Sequence, residues 1–318
     1  SGGQFGIQRK LRNYVHENGI QLVHTHTPRT TLTAAFALGR RRRVKLLTTK
    51  HLHAISQERR AHGWVFWLAD RSACYMSDKI IAVSNDVGSK LKSLPWIHDD
   101  KITVIQNAVD TMLYDQPAER QGCRTEFGIA GHETVLGFAG RLTKQKRLDL
   151  MLRAFAQVLR RYDNCRLLLA GEGEEEAALR LQAVQLGIDG KVIWAGHRRD
   201  MPRLYAAIDI YIQSSDNEGL SLSLLQAMIA RNAVVATDVG GTRELVGMDA
   251  ADPRREQAPA CLVPAEDTAT LAGALLRIVE SPKLAGRLAA AGRTRAREAF
   301  DARLATENLL RHYIEVLR

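Results

Sequence analysis

Short apolar runs rich in β-branched residues alternate with longer stretches of helical periodicity along almost the whole chain, and few folds accommodate that pattern. Residues 5–18 read as a helix, 20–25 as a strand, 29–39 as a helix and 44–49 as a strand. A helix over about 57–76 follows, then a strand over 79–83, a helix from Asp86 to about Leu94 and a strand over 101–105. Between 107 and 132 the periodicity breaks at Asn107, Asp110, Pro117 and the stretch from Gly122 to Gly131. It resumes with strands expected over 134–139, 165–170, 191–194, 209–213 and 233–237, and helices over 148–162, 175–186, 201–207 and 222–231. Helices over 268–280, 282–299 and 302–317 close the chain. Strands separated by helices pair in parallel, so the fold class is α/β, with parallel sheets flanked by helices.

At 318 residues the chain can bury two cores. The break divides it into a first domain over 1–115 and a second over 116–300, with a last helix over 301–318. The first domain opens at Ser1-Gly2-Gly3 and enters a helix directly, without the leading strand and glycine turn that start a nucleotide-binding domain. The expectation is therefore an N-terminal truncation, or an artificial scar at Ser1–Gly3.

The net charge of +10 is unevenly placed between the domains. Residues 1–115 hold 17 Lys/Arg against 9 Asp/Glu, whereas the remainder holds 28 against 26. The run Arg40–Arg43 with Lys45 supplies much of the excess, as a solvated loop or as a contact for an anionic membrane surface or acidic acceptor. Nucleic acid is disfavoured, since no stacking pattern or recognition motif accompanies the charge. Trp64, Phe66 and Trp67 beside this basic region suggest a lipid-linked acceptor and peripheral membrane contact, or simply a packed helix. Cys74, Cys123, Cys165 and Cys261 are far apart and read as buried thiols of a reducing cytosol. No apolar run reaches the roughly 18 residues of a membrane span.

The chemically richest stretch runs from Asp216 to Val246, DNEGLSLSLLQAMIARNAVVATDVGGTRELV. Glu218 opens a small-residue turn, Gly219-Leu220-Ser221, whose backbone amides lead into a helix N-terminus that favours anions. Gln226 lies eight residues after Glu218, and its amide can bond a ribose hydroxyl or sit on the helix surface. Gly140-Arg141-Leu142 leaves strand 134–139, and Lys146 follows. Those two cations suit a nucleotide diphosphate leaving group, or they are solvated loop charges. Gly171-Glu172-Gly173 is a weak dinucleotide signal, because Glu174–Glu176 would repel a pyrophosphate. Its glycines let backbone approach a ligand edge or merely make the turn. Backbone near Gly196–Arg199, with His197, is the candidate base-recognition segment, and UDP is the default base. His24 alternates with His26, and His51 with His53, but no third metal ligand lies in sequence reach. A cleft histidine bonding a sugar hydroxyl or phosphate suits His51 better, and Ser84 suits a helix cap.

Seven motifs in order carry a family resemblance: TTKH at 48–51, IIAVS at 80–84, VIQNAVD at 104–110, GRLTKQK at 140–146, LLLAGEGEE at 167–175, NEGLSLSLLQAM at 217–228 and VVATDVGGTRELV at 234–246. The chain resembles the retaining GT-B glycosyltransferases of family four, also called glycosyl transferases group 1. That resemblance implies two Rossmann-like domains, with a last helix that returns to the first. It implies that Arg141 and Lys146 bind the donor diphosphate, that Glu218 contacts the transferred sugar, and that His51 sits near it. Gly173, His197, Gly219, Leu220, Ser221 and Gln226 would complete donor binding. Transfer would retain anomeric configuration, by same-face attack of an acceptor hydroxyl, without a metal or other cofactor. The acceptor would be a glycoconjugate, polysaccharide or lipid-linked glycan of the cell envelope, handled at or near the inner membrane face. Three departures stand out. Gln226 replaces the family's second glutamate, Arg147 replaces a glycine, and Asn107-Ala108 stands where Asn-Gly is usual. The family's leading glycine loop is absent from this sequence. A nucleotide-sugar epimerase and a non-catalytic nucleotide-sugar binder are the competing readings.

Overall fold

The alternation resolves into two units, residues 1–107 with 303–318 and residues 108–302. The computed structural model describes residues 4–39, 43–51, 63–247 and 258–318, with residues 4 and 63–66 as backbone alone. Ser1–Gly3, Arg40–Arg42, His53, residues 57–62 of the expected long helix, and the side chains of Trp64 and Phe66 lie outside that description.

In the first unit α1 (Gln4–Glu17), β1 (Leu22–Thr25), α2 (Pro28–Leu38), β2 (Lys45–Lys50), α3 (Gly63–Met76), β3 (Lys79–Ala82), α4 (Asn85–Lys92) and β4 (Ile102–Val104) follow in turn. The four strands lie parallel in sequence order. Helix starts are set locally. Thr27 and Thr30 form a capping box ahead of Pro28, and Ser84 accepts from the Val87 amide, as its sequence context predicts. Leu46, Leu47, Ile80 and Ile81 are buried, consistent with a parallel sheet covered on both faces. Lys50 and Asp70 form a buried ion pair between β2 and α3. The Arg71 guanidinium lies 4.2 Å from the Trp67 ring centroid and 4.4 Å from that of Trp96, so Trp67 serves as a cation–π partner.

The second unit contains α5 (Arg120–Glu126), β5 (Thr134–Ala139), α6 (Leu148–Leu159), β6 (Cys165–Ala170), α7 (Glu176–Gln185), β7 (Val192–Gly196) and α8 (Met201–Ala207). It continues with β8 (Ile210–Gln213), α9 (Leu222–Ile229), β9 (Ala233–Thr237), α10 (Thr242–Val246), β10 (Cys261–Val263), α11 (Thr268–Val279) and α12 (Pro282–Ala299). Its six strands are parallel, in the order β10-β9-β8-β5-β6-β7. The connection direction therefore reverses between β5 and β8, and open α/β sheets bind ligands outside the strand C-termini at such a reversal.

The last helix, α13 (Ala302–Leu317), falls with the first unit beyond residue 302. Leu309, Tyr313 and Val316 lie on one helical face and pack with Leu47 and Ile81.

Three elements escaped the sequence reading. Helix α5 lies where glycines suggested a break, because its support is tertiary. The buried Arg124 donates to the Ala207 carbonyl (3.1 Å) and to Asp209 (2.5 Å), and Arg120 joins the same carboxylate. Helix α10 and strand β10 are too short, at 5 and 3 residues, to show a period. Cys74, Cys123 and Cys165 are buried and Cys261 half-buried, and all four are free thiols.

Candidate functional site

The β5–α6 and β8–α9 loops leave neighbouring strands on either side of the reversal point. Several contacts join them. Lys146 Nζ lies 2.6 Å from Glu218 Oε1, and Gln145 Nε2 donates to the Asn217 carbonyl at 2.7 Å. The Asp216 amide donates to the Gln145 carbonyl at 2.9 Å, and Ser214 Oγ to that of Lys146 at 2.8 Å. Arg147 Nη1 reaches Asp216 at 3.0 Å. Residues far apart in the chain are thus held in one frame before any ligand arrives.

Glu218 is only 7% exposed, and a carboxylate so buried needs partners. Lys146 supplies one, and Ser215 Oγ donates to the same oxygen at 2.6 Å. The other oxygen, Oε2, takes no hydrogen bond among the described residues and remains an available acceptor. The two expected cations are therefore not equivalent. Lys146 is committed to Glu218, whereas Arg141 is exposed and carries no ion pair among the described residues.

Ser221 caps α9, its hydroxyl accepting from the Leu224 amide at 3.3 Å. The amides of Leu222 and Ser223 have no acceptor among the described residues, so the helix start presents free donors. Gln226 is half-buried, four residues past Leu222 and three past Ser223, and therefore on the same helix face. Gly219 and Leu220 are buried beneath this turn, and His197 is exposed at the exit of β7.

Glycines hold the loops together. A β-carbon at Gly171 would overlap the Gly140 carbonyl oxygen, and one at Gly173 that of Leu142. The Leu142 amide donates to Glu172 (2.9 Å), and the Glu175 amide returns to Leu142 (3.0 Å). Loop-to-loop packing thus accounts for Gly173 without invoking a ligand. Gly240, at φ +50°, passes so close to the Glu218 carbonyl that only a glycine fits. Arg147 adopts φ 49°. Its ion pairs to Asp149 (3.1 Å), Asp216 and Glu266 (3.2 Å) offset a left-handed strain of about 1–2 kcal/mol.

Ser215 was missed from sequence. Its only signal is a Ser-Ser pair directly after a buried strand.

In the first unit His51 lies against His26, with His26 Nδ1 3.3 Å from His51 Nε2. His24, behind them, bonds Tyr313 and Thr49. Burial, then the neighbouring His26, His51 and His312, lower the His24 pKa from 6.5 to about 4. Burial and then His26 and Lys50 lower that of His51 as well. Between those two His24 values the unfolded chain binds more protons than the folded one, so stability is full above pH 6.5 and falls as pH drops towards 4. Urea midpoints measured across that window should decline on acidification, and more gently in His24→Gln.

The family model for glycosyl transferases group 1 matches residues 120–295, and that for glycosyltransferase family 4 matches residues 2–113. The chain belongs to the glycosyl transferases group 1 family, on the GT-B fold. It is 25% identical over 306 residues to EpsD of Bacillus subtilis, covering 95% of this chain and 78% of that one. It is 30% identical over 210 residues to the lipopolysaccharide core biosynthesis mannosyltransferase LpcC of Rhizobium leguminosarum, covering 64% and 56% respectively. The fold is similar to that of Anabaena HepE in complex with UDP and glucose, with TM-score 0.84, 22% identity and 96% and 80% coverage. With several other curated relatives the alignment spans only about half of the relative's length, 45% in one case.

Proposed function

We propose that this chain transfers a sugar, with retention, from a nucleotide diphosphate donor, by default a UDP-sugar, to a hydroxyl of a glycan or lipid-linked acceptor in envelope polysaccharide synthesis. The observation that carries this reading is the Lys146–Glu218 pair beside the α9 N-terminus at the strand-order reversal. Arg141 and the Leu222 and Ser223 amides would hold the diphosphate, Lys146 would neutralise charge as the sugar leaves, and Glu218 Oε2 would accept from a sugar hydroxyl. Gln226 would reach the ribose, and His51 the transferred sugar, a role resting on the TTKH motif. The lipopolysaccharide role in the name of LpcC and the UDP bound to HepE support the acceptor class and the base.

Calorimetry with UDP, GDP and ADP tests the reading. One diphosphate should bind, and Arg141→Ala should weaken it about tenfold or more, roughly 1.4 kcal/mol, by removing a cation that carries no ion pair among the described residues. Binding by none of the three, or binding indifferent to Arg141, would sink the assignment.

We also propose a peripheral contact with an anionic membrane surface through the first unit. No helix among the described residues is long and apolar enough to cross a membrane. Helix α1 exposes Phe5, Ile7 and Tyr14 together with Arg9, Lys10 and Arg12, a combination suited to the lipid–water interface. Sedimentation with phosphatidylglycerol vesicles should fall several-fold in Phe5→Glu, and retention equal to wild type would refute the contact.

A further inference from the structure

Three imidazoles stack at the C-terminal end of β1 and β2. The ring centroids of His24 and His26 are 4.5 Å apart, and those of His26 and His51 are 5.5 Å apart with planes 30° from parallel. Parallel pairing of β1 with β2 brings this about, since Thr25 lies opposite Thr48 and both strands run out into histidines. The stack has one anchored end. His24 Nδ1 lies 2.5 Å from the Tyr313 hydroxyl on α13, and Nε2 lies 2.7 Å from Thr49 Oγ1. A neutral imidazole has one donor and one acceptor. The phenol is the stronger donor, so Tyr313 gives its proton to Nδ1 and Nε2–H donates to Thr49. Both His24 nitrogens are used and its ring cannot rotate.

We propose that Tyr313, acting through His24 and His26, positions the His51 imidazole and thereby maintains the hydrogen bond that couples its tautomer to that of His26. His26 is exposed and takes its orientation from the fixed face of His24 on one side. On the other it exchanges a hydrogen bond with His51 Nε2. The His26 Nδ1–His51 Nε2 bond makes the two tautomers complementary, one ring donating where the other accepts, and a His26 ring that leaves the face of His24 loses that match. Charged neighbours are accounted for. Lys50 beside His51 is paired with Asp70, and on α13 His312 lies 3.7 Å from Glu315. The lowered affinity of His24 for a proton keeps the anchor neutral at neutral pH. The catalytic consequence, though not the coupling itself, rests on the reading of His51 as a sugar-contacting group.

Nitrogen-15 imidazole spectra of the full chain decide the matter. Wild type should show one dominant His51 tautomer. Tyr313→Phe, which deletes one hydroxyl at constant shape, should mix the tautomers and shift the His51 titration. Thr49→Val should do the same from the other side of His24. His51 signals unmoved in both variants would overturn the coupling. Release of UDP from UDP-glucose provides the second arm. Turnover should drop about 5- to 30-fold in Tyr313→Phe, with UDP binding unchanged within about twofold, as positioning rather than folding predicts. If His51→Ala itself leaves turnover intact, the reading of His51 fails. If His51→Ala is impaired while Tyr313→Phe matches wild type in spectrum and rate, the positioning inference fails alone.

Discussion

Lys146→Ala is expected to lower kcat/KM for sugar transfer by about 10²–10³, the usual loss on removing one preorganised charge from a transition state. The effect has two sources. The ammonium proposed to neutralise the departing diphosphate is gone, and Glu218 loses one of the two donors to Oε1, keeping only Ser215. A buried carboxylate stripped of its cation is expected to cost about 3–5 kcal/mol before relaxation and water entry reduce that figure. Glu218→Gln separates the two sources. It keeps the shape and an acceptor for Lys146 while removing the charge, so it should reduce transfer with little loss of stability. Steady-state kinetics and urea midpoints for Lys146→Ala, Glu218→Gln and the double variant form a cycle. A double variant as impaired as the sum of the singles would show that the two groups act independently, against the paired reading.

Gly240→Ala should remove most activity without touching any proposed ligand contact. The glycine holds a left-handed φ of +50°, and an added β-carbon would overlap the Glu218 carbonyl oxygen, which also accepts from the Gly241 amide at 3.3 Å. Strain and displacement together should destabilise the chain by about 3 kcal/mol. Moving the Glu218 backbone by roughly 1 Å should reduce turnover about 10²-fold. Thermal melts and initial rates together check this. Stability lost with turnover intact would mean that the β9–α10 turn does not support the site.

The strand–helix alternation was legible because each run carries its own period. Strands 134–139, 165–170 and 233–237 and helices 201–207 and 282–299 match the reading residue for residue. Helix α5 was not legible, since Arg120 and Arg124 are stabilised by Asp209 and by carbonyls more than 80 residues away. In the site, Arg141, Lys146 and Glu218 could be named from strand exits and motif order. That Lys146 pairs with Glu218 while Arg141 has no ion pair among the described residues could not, because both are basic residues of one loop. The histidines could be paired by alternation within each strand, but not across strands, and so Tyr313 escaped notice.

The local pattern of residues by itself determined that the chain forms helices and parallel strands, where most of them begin, and which loops carry charge and glycine. Periodicity and caps act within a few residues, so these choices need no distant partner. Which strand lies beside which was decided only by tertiary structure. Placing β8 against β5 brings Lys146 and Glu218 together across 72 residues of chain, and placing β1 against β2 stacks His26 on His51. Strand order follows from burying both faces of a whole sheet and from packing helices onto it, a collective balance that no single segment encodes.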